Sequence, residues 1–120
     1  MPDPQPPGPT PPSAIPGRLR EVARLLRQAD HLEPEAQQSL ADLADELANT
    51  LGTSGVPTAE EVQLGQLAGQ LIAALHRGES APVAATRDRL QKAVVAAETR
   101  APFAAGIARQ LLDAIANLGI

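Results

Sequence analysis

The chain has 120 residues, a formal net charge of −4 and a hydrophobic content of 43%, and that length supports one domain. It contains no Cys, which removes disulfides, thiolate chemistry and Cys-ligated zinc together. Phe103 is the only aromatic residue, so the aromatic walls that line most cofactor, sugar and nucleobase sites are missing, and the mild acidity gives no general attraction to nucleic acid.

Residues 1–16 hold eight of the twelve prolines: Pro2, Pro4, Pro6, Pro7, Pro9, Pro11, Pro12 and Pro16. Such a run cannot build a helix or a strand ladder and samples extended polyproline II. It contains P-x-x-P spacings, Pro4 to Pro7 and Pro9 to Pro12, which suit an aromatic groove on a partner. The plainer reading, a solvated and disordered tail, is the one expected. No basic stretch followed by an apolar run marks it as a secretory signal.

From Gly17 onward the apolar residues recur at helical steps. The first predicted helix spans about Gly17 to Asp30, with Leu19, Val22, Leu26 and Ala29 on one face and Leu25 beside them. The second spans Pro34 to Leu51. Pro34 suits a first helical position, Glu33 and Glu35 suit its positive end, and Gly52 follows as a stop. Its stripe is Ala36, Leu40, Leu43, Leu47 and Leu51.

The third helix opens on a capping box, Thr58-Ala59-Glu60-Glu61, and runs to Arg77 with Gly78 as its stop. Leu64, Leu67, Leu71 and Leu75 form its face, flanked by Ala68 and Ile72. Gln66 and Gln70 interrupt this stretch well short of the roughly 18 apolar residues of a membrane span, so no membrane association is expected. The fourth helix spans Val83 to Arg100 with Leu90, Ala93, Val94 and Ala97 inward. Ala101, preceding Pro102, is disfavoured in helical geometry, so a sharp break is predicted there. The fifth runs from Pro102 to Leu118, burying Phe103, Ile107, Leu111, Ile115 and Leu118. Gly119 stops it, and Ile120 folds back on Ile115.

Similar helix lengths, short connections and the absence of any alternating pattern predict an all-α antiparallel bundle of four to five helices over 17–120, behind a disordered tail over 1–16. Charge is divided between the first two helices. Arg18, Arg20, Arg24 and Arg27 dominate one, and Glu33, Glu35, Asp42, Asp45 and Glu46 the other, as suits an antiparallel hairpin. Exposed pairs of this kind contribute under about 1 kcal/mol each, so they serve orientation more than stability.

Candidate sites are few. Asp42, Asp45 and Glu46 share a helix face and could hold a hard cation or exchange protons, but a solvated acidic face is expected. His31 and His76 fall in no metal-ligand spacing, so no metal and no cofactor is expected. Gly65, Ala68 and Gly69 place small residues in one seam of the third helix. Two helical glycines cost about 1 kcal/mol each against Ala, so close approach of another backbone must offset them. That backbone belongs either to this chain or to a second copy. Arg87, Arg89, Lys92 and Arg100 make the fourth helix basic, with Arg87 and Lys92 the candidates for an electrostatic contact. No phosphate loop, dinucleotide fingerprint or nucleophile–base arrangement is present.

The segment Arg87-Asp88-Arg89-Leu90 through Pro102 to Asp113, Asn117, Gly119 and Ile120 resembles a family of short bacterial proteins of unknown function. Members look like a leucine-rich hairpin, then D-R-L-x-x-A-V, an x-P break and a terminal L-x-D-x-L-x-N-x-G-I. The Pro-rich tail and the helix Ala59 to Arg77 depart from that pattern. The resemblance implies an all-helical bacterial cytoplasmic protein and no mechanism, although some members carry a chromosome-partitioning label. The sequence reading is therefore a non-enzymatic helical module that binds a protein partner or associates with itself, with no nucleic acid expected. An accessory role in a DNA-associated, partitioning-type machinery is the alternative.

Overall fold

The structure, a computed structural model, describes residues 14–29, 32–53 and 58–117. Five helices fill them: α1 (Ile15–Arg27), α2 (Pro34–Thr53), α3 (Ala59–Arg77), α4 (Ser80–Ala97) and α5 (Pro102–Ala116), with no strand among the described residues. The Pro-rich stretch up to Ser13, His31, and the expected terminal stop at Leu118, Gly119 and Ile120 lie outside the described residues.

The helix ends follow local chemistry. α1 starts at Ile15 rather than Gly17, because Pro16 sits in a first turn, where its missing N–H is not needed. Ile15 and Pro16 are buried, so the bundle begins inside the stretch assigned to the tail. The C-terminal end of α1 is capped from α2: Gln37 Nε2 donates to the carbonyl of Leu26 at 2.5 Å and also to that of Ala29. At the start of α3 the capping box forms in both directions. Thr58 Oγ1 accepts from the Glu61 N–H at 3.2 Å, and the Thr58 N–H donates to Glu61 Oε1 at 3.0 Å. α3 stops at Gly78, whose φ of 71° is left-handed. Gly78 N–H reaches the Leu75 carbonyl and Glu79 N–H the Ala74 carbonyl, each at 3.1 Å, the paired bonds of a Schellman stop.

α4 differs from expectation at both ends. It begins at Ser80, because Pro82 fits the first turn rather than preceding the helix. It ends at Ala97, because Ala101 (φ −137°, ψ 64°) must leave helical geometry before Pro102, and residues 98–100 make the turn. Pro102 then opens α5.

The helices close a ring. α1 packs on α2, α2 on α5, α5 on α4, α4 on α3, and α3 back on α1; α3 also touches α2 and α5. α1 and α2 run antiparallel, as do α3 and α4, whereas α1 and α3 run parallel, with Ile15 at Gly65 and Leu19 at Gly69. Arg20 meets Asn49 at 3.0 Å, while Arg27 meets Asp42 at 3.1 Å and Asp45 at 2.7 Å, so positions advance along α1 as they retreat along α2. The α3–α4 connection is only Gly78 and Glu79, and Arg100 beyond the far end of α4 comes within 3.9 Å of Glu60 at the start of α3. Arg109 of α5 pairs with Glu98. Because α5 packs on both α2 and α4, the break at Ala101 folds the chain back into the bundle instead of prolonging α4.

The core is aliphatic and small-residue rich. Leu19, Leu26, Leu40, Leu47, Leu51, Leu64, Leu71, Ile72, Leu90, Leu111 and Ile115 are its largest fully enclosed side chains, with alanines from every helix between them. The helices approach closely at these alanines, and the radius of gyration, 14.0 Å, is about that of a compact chain of this length. Leu43 and Ala36, expected in the buried stripe of α2, are only half-buried, while Ala41, Ala44 and Ala48 go inside. None of the described helices is long and apolar enough to cross a membrane.

Candidate interaction surface

The small-residue seam is internal. Gly65, Ala68 and Gly69 are all buried within the chain. A Cβ on Gly65 would clash with Ile15 Cγ2 and lie 2.8 Å from Leu51 Cδ1, so α1 and the end of α2 occupy the notch that the missing side chain leaves. At Gly69 the nearest atom, Leu19 Cδ2, would be 3.8 Å away, an ordinary contact. Gly65, Ala68 and Gly69 therefore do not offer a face to a second copy. Of the two backbones the seam could admit, this chain's own α1 is the one that reaches Gly65, through Ile15.

The cations of α4 do not converge. Arg87 is half-buried, and Lys92 lies 3.3 Å from Asp88 one turn earlier. Five helical steps separate Arg87 from Lys92, which turns them about 140° apart on the helix. Arg100 is engaged with Glu60. The acidic face of α2 is equally committed: Arg27 holds Asp42 and Asp45, and those hydrogen bonds, Asp45 first and Asp42 second, raise the affinity of its guanidinium for its proton. Its role is to set the hairpin. Among the described residues no group of three His, Asp or Glu side chains is placed to hold a metal ion.

What the fold leaves outward is its only aromatic residue. Phe103 is 81% exposed, against the expectation that it belongs to the buried face of α5. The face is instead centred on Ala104, Ala108, Leu111, Leu112 and Ile115, with Ile107 at its edge. Helical steps of about 100° put Phe103 roughly 120° from that centre. The signal was in the sequence: three alanines of the Phe103–Ala108 stretch mark the side that approaches its neighbours, and Phe103 is not on it. Among the described residues Val95, on α4, is the other large apolar side chain left outward, at 68%.

Phe103 stands at one end of a groove between α2 and α5. Glu46, Thr50 and Thr53 form one wall, and Pro102, Gly106, Ile107 and Gln110 the other. Past Gln110 the groove continues between Ser39, Asp42 and Leu43 on α2 and Asp113, Ala114 and Asn117 toward the end of α5. The end of α2 thus faces the start of α5, and the start of α2 faces its end. α1 and α5 therefore both begin beside the C-terminal end of α2 and flank it on two sides.

Comparison with curated proteins finds no match, and comparison with solved structures finds none either. A family model matches residues 37–120, which takes in α2 from its first turn through α5 and leaves out α1. α3, expected to fall outside the family pattern, lies inside the matched range, as does every residue lining the α2–α5 groove. That family is described as Domain of unknown function (DUF4404), and the chain belongs to it.

Proposed function

We propose that this chain is a non-enzymatic helical module that acts by binding a protein partner through the start of α5. The supporting observation is Phe103. A fold that encloses aliphatic side chains from every helix leaves its only aromatic ring 81% exposed on a rigid helix beside Pro102. Burying such a side chain contributes about 1.5–3 kcal/mol, so a partner that covers Phe103 gains that much on binding. Aromatic side chains at the centre of an interface carry a large share of its affinity.

The test is capture from a native lysate on the tagged chain, with and without nuclease, comparing wild type and Phe103→Ala. The expected result is a single nuclease-resistant protein recovered by the wild type and reduced at least tenfold by the substitution. Equal recovery on both baits contradicts the role given to Phe103. Recovery lost to nuclease would favour the DNA-associated alternative and remove this reading.

A further inference from the structure

Resting on that reading of Phe103, we infer that the element a partner lays in the α2–α5 groove is a basic amphipathic α-helix, with its apolar stripe on Phe103 and its closest approach at Gly106. The spacing of the walls suits a helix. α2 lines the groove with Ser39, Leu43, Glu46, Thr50 and Thr53. α5 and its cap line it with Phe103, Gly106, Gln110, Asp113 and Asn117. Both series advance by alternating steps of three and four residues, the spacing at which a pair of helices offers a continuous seam to a third. The groove follows α5 for about 20 Å at the helical rise of roughly 1.5 Å per residue, so an occupant of about four turns fills it.

Gly106 shows where the occupant comes closest. A glycine inside a helix weakens it. At Gly65 that weakness admits Ile15, whereas Gly106 is exposed and a Cβ there would meet nothing within 4 Å. No packing among the described residues uses its missing side chain. The gap it leaves lies in the groove wall between Phe103 and Gln110, and helix axes approach most closely where the side chains at the contact are small.

Charge selects the kind of helix. Asp42, Glu46 and Asp113 line the groove, and no Lys or Arg does. Asp42 is held by Arg27, but the carboxylates of Glu46 and Asp113 enter no ion pair among the described residues. An acidic groove on a chain of net charge −4 repels nucleic-acid phosphate and draws in a cationic segment. Two copies of that charge also repel each other, which favours a different protein over a second copy. Lys or Arg side chains flanking the apolar stripe meet Glu46 near Phe103 and Asp113 farther along. Such pairs set orientation and choice of partner, while the stripe on Phe103 carries affinity.

The probe is a display library of helical peptides of about 18 residues, long enough to span the groove, selected on the full chain and followed by synthesis of the consensus peptide. The expected consensus has apolar residues at steps of three and four, flanked by Lys or Arg. Its affinity should fall by at least about tenfold on Phe103→Ala, and by as much on Gly106→Leu, which fills the wall without entering the core. The double variant Glu46→Lys, Asp113→Lys should lose that peptide and select acidic ones instead. All these positions are exposed, and native helix content by circular dichroism verifies each variant. No enrichment, an acidic or Pro-rich consensus, or binding indifferent to Gly106→Leu and to charge reversal overturns the inference. So does light scattering that shows a dimer dispersed by Phe103→Ala, since that assigns the groove to a second copy. The two readings fail separately. Phe103-dependent capture from lysate with a consensus other than a basic helix removes only the partner's chemistry. A basic helical consensus that needs Phe103, with Phe103-independent capture, removes only the role given to Phe103 in the cell.

Discussion

At the scale of single residues, three glycines in helices make opposite demands. Gly65 faces Ile15 and Leu51 at a distance no Cβ can share, while Gly69 has ordinary room and Gly106 faces open space. Gly65→Ala is therefore expected to destabilise the chain by about 1–3 kcal/mol through overpacking, outweighing the helix propensity gained. Gly69→Ala and Gly106→Ala should each stabilise by about 0.5–1 kcal/mol, since only the propensity gain remains. Urea unfolding of the three variants checks the contrast, and a stabilising Gly65→Ala would show that α1 does not fill the notch. The G-x-x-x-G spacing was legible in the sequence; which backbone it admits was not, because Ile15 sits fifty residues away behind a proline-rich stretch.

At the scale of elements, the helices whose ends are written in side-chain chemistry were read best. Thr58 and Glu61 cap α3 as their spacing requires, and Gly78 ends it. Thr58→Ala should cost about 0.5–2 kcal/mol, read as a lower denaturation midpoint with an unchanged slope. The limits of α4 were harder to read, because a proline inside a first turn and a proline ahead of a helix look alike in sequence; Pro82 is the former. The alanine-rich faces misled in the same way. Leu43 and Phe103 are apolar and helically spaced with their neighbours, yet the side chosen for packing is the one with alanines, where helices come closest. Leu111, 1% exposed, lies on that chosen side in α5, and Leu111→Ala should cost about 2–5 kcal/mol in the same assay.

At the scale of the whole molecule, the all-helical class followed from periodicity, while the ring order α1–α2–α5–α4–α3 did not. Neighbours in a bundle are fixed by which small faces meet, and alanine stripes are nearly interchangeable in sequence. The ring has one consequence for stability. α1 lies outside the residues matched to the family, yet Ile15, Leu19 and Leu26 are enclosed by α2 and α3. The chain should thus unfold in one transition, with helix content and amide protection of α1 lost together with those of α4. Earlier loss of α1 protection would show it to be an appendage to the matched bundle. The same closure accounts for how little of the candidate site could be read from sequence. The groove is made by the ends of α2 and α5, elements separated by two other helices, and its prominent residue is conspicuous only once the core is seen to exclude it.

The central claim is that Phe103 is withheld from the core, and equilibrium unfolding of Phe103→Ala tests it most directly. An outward ring that the fold does not use predicts a stability change under about 0.5 kcal/mol, against the 2–5 kcal/mol expected for Leu111→Ala on the same helix. A loss of about 3 kcal/mol or more for Phe103→Ala would place the ring in the core and remove the basis for the partner site.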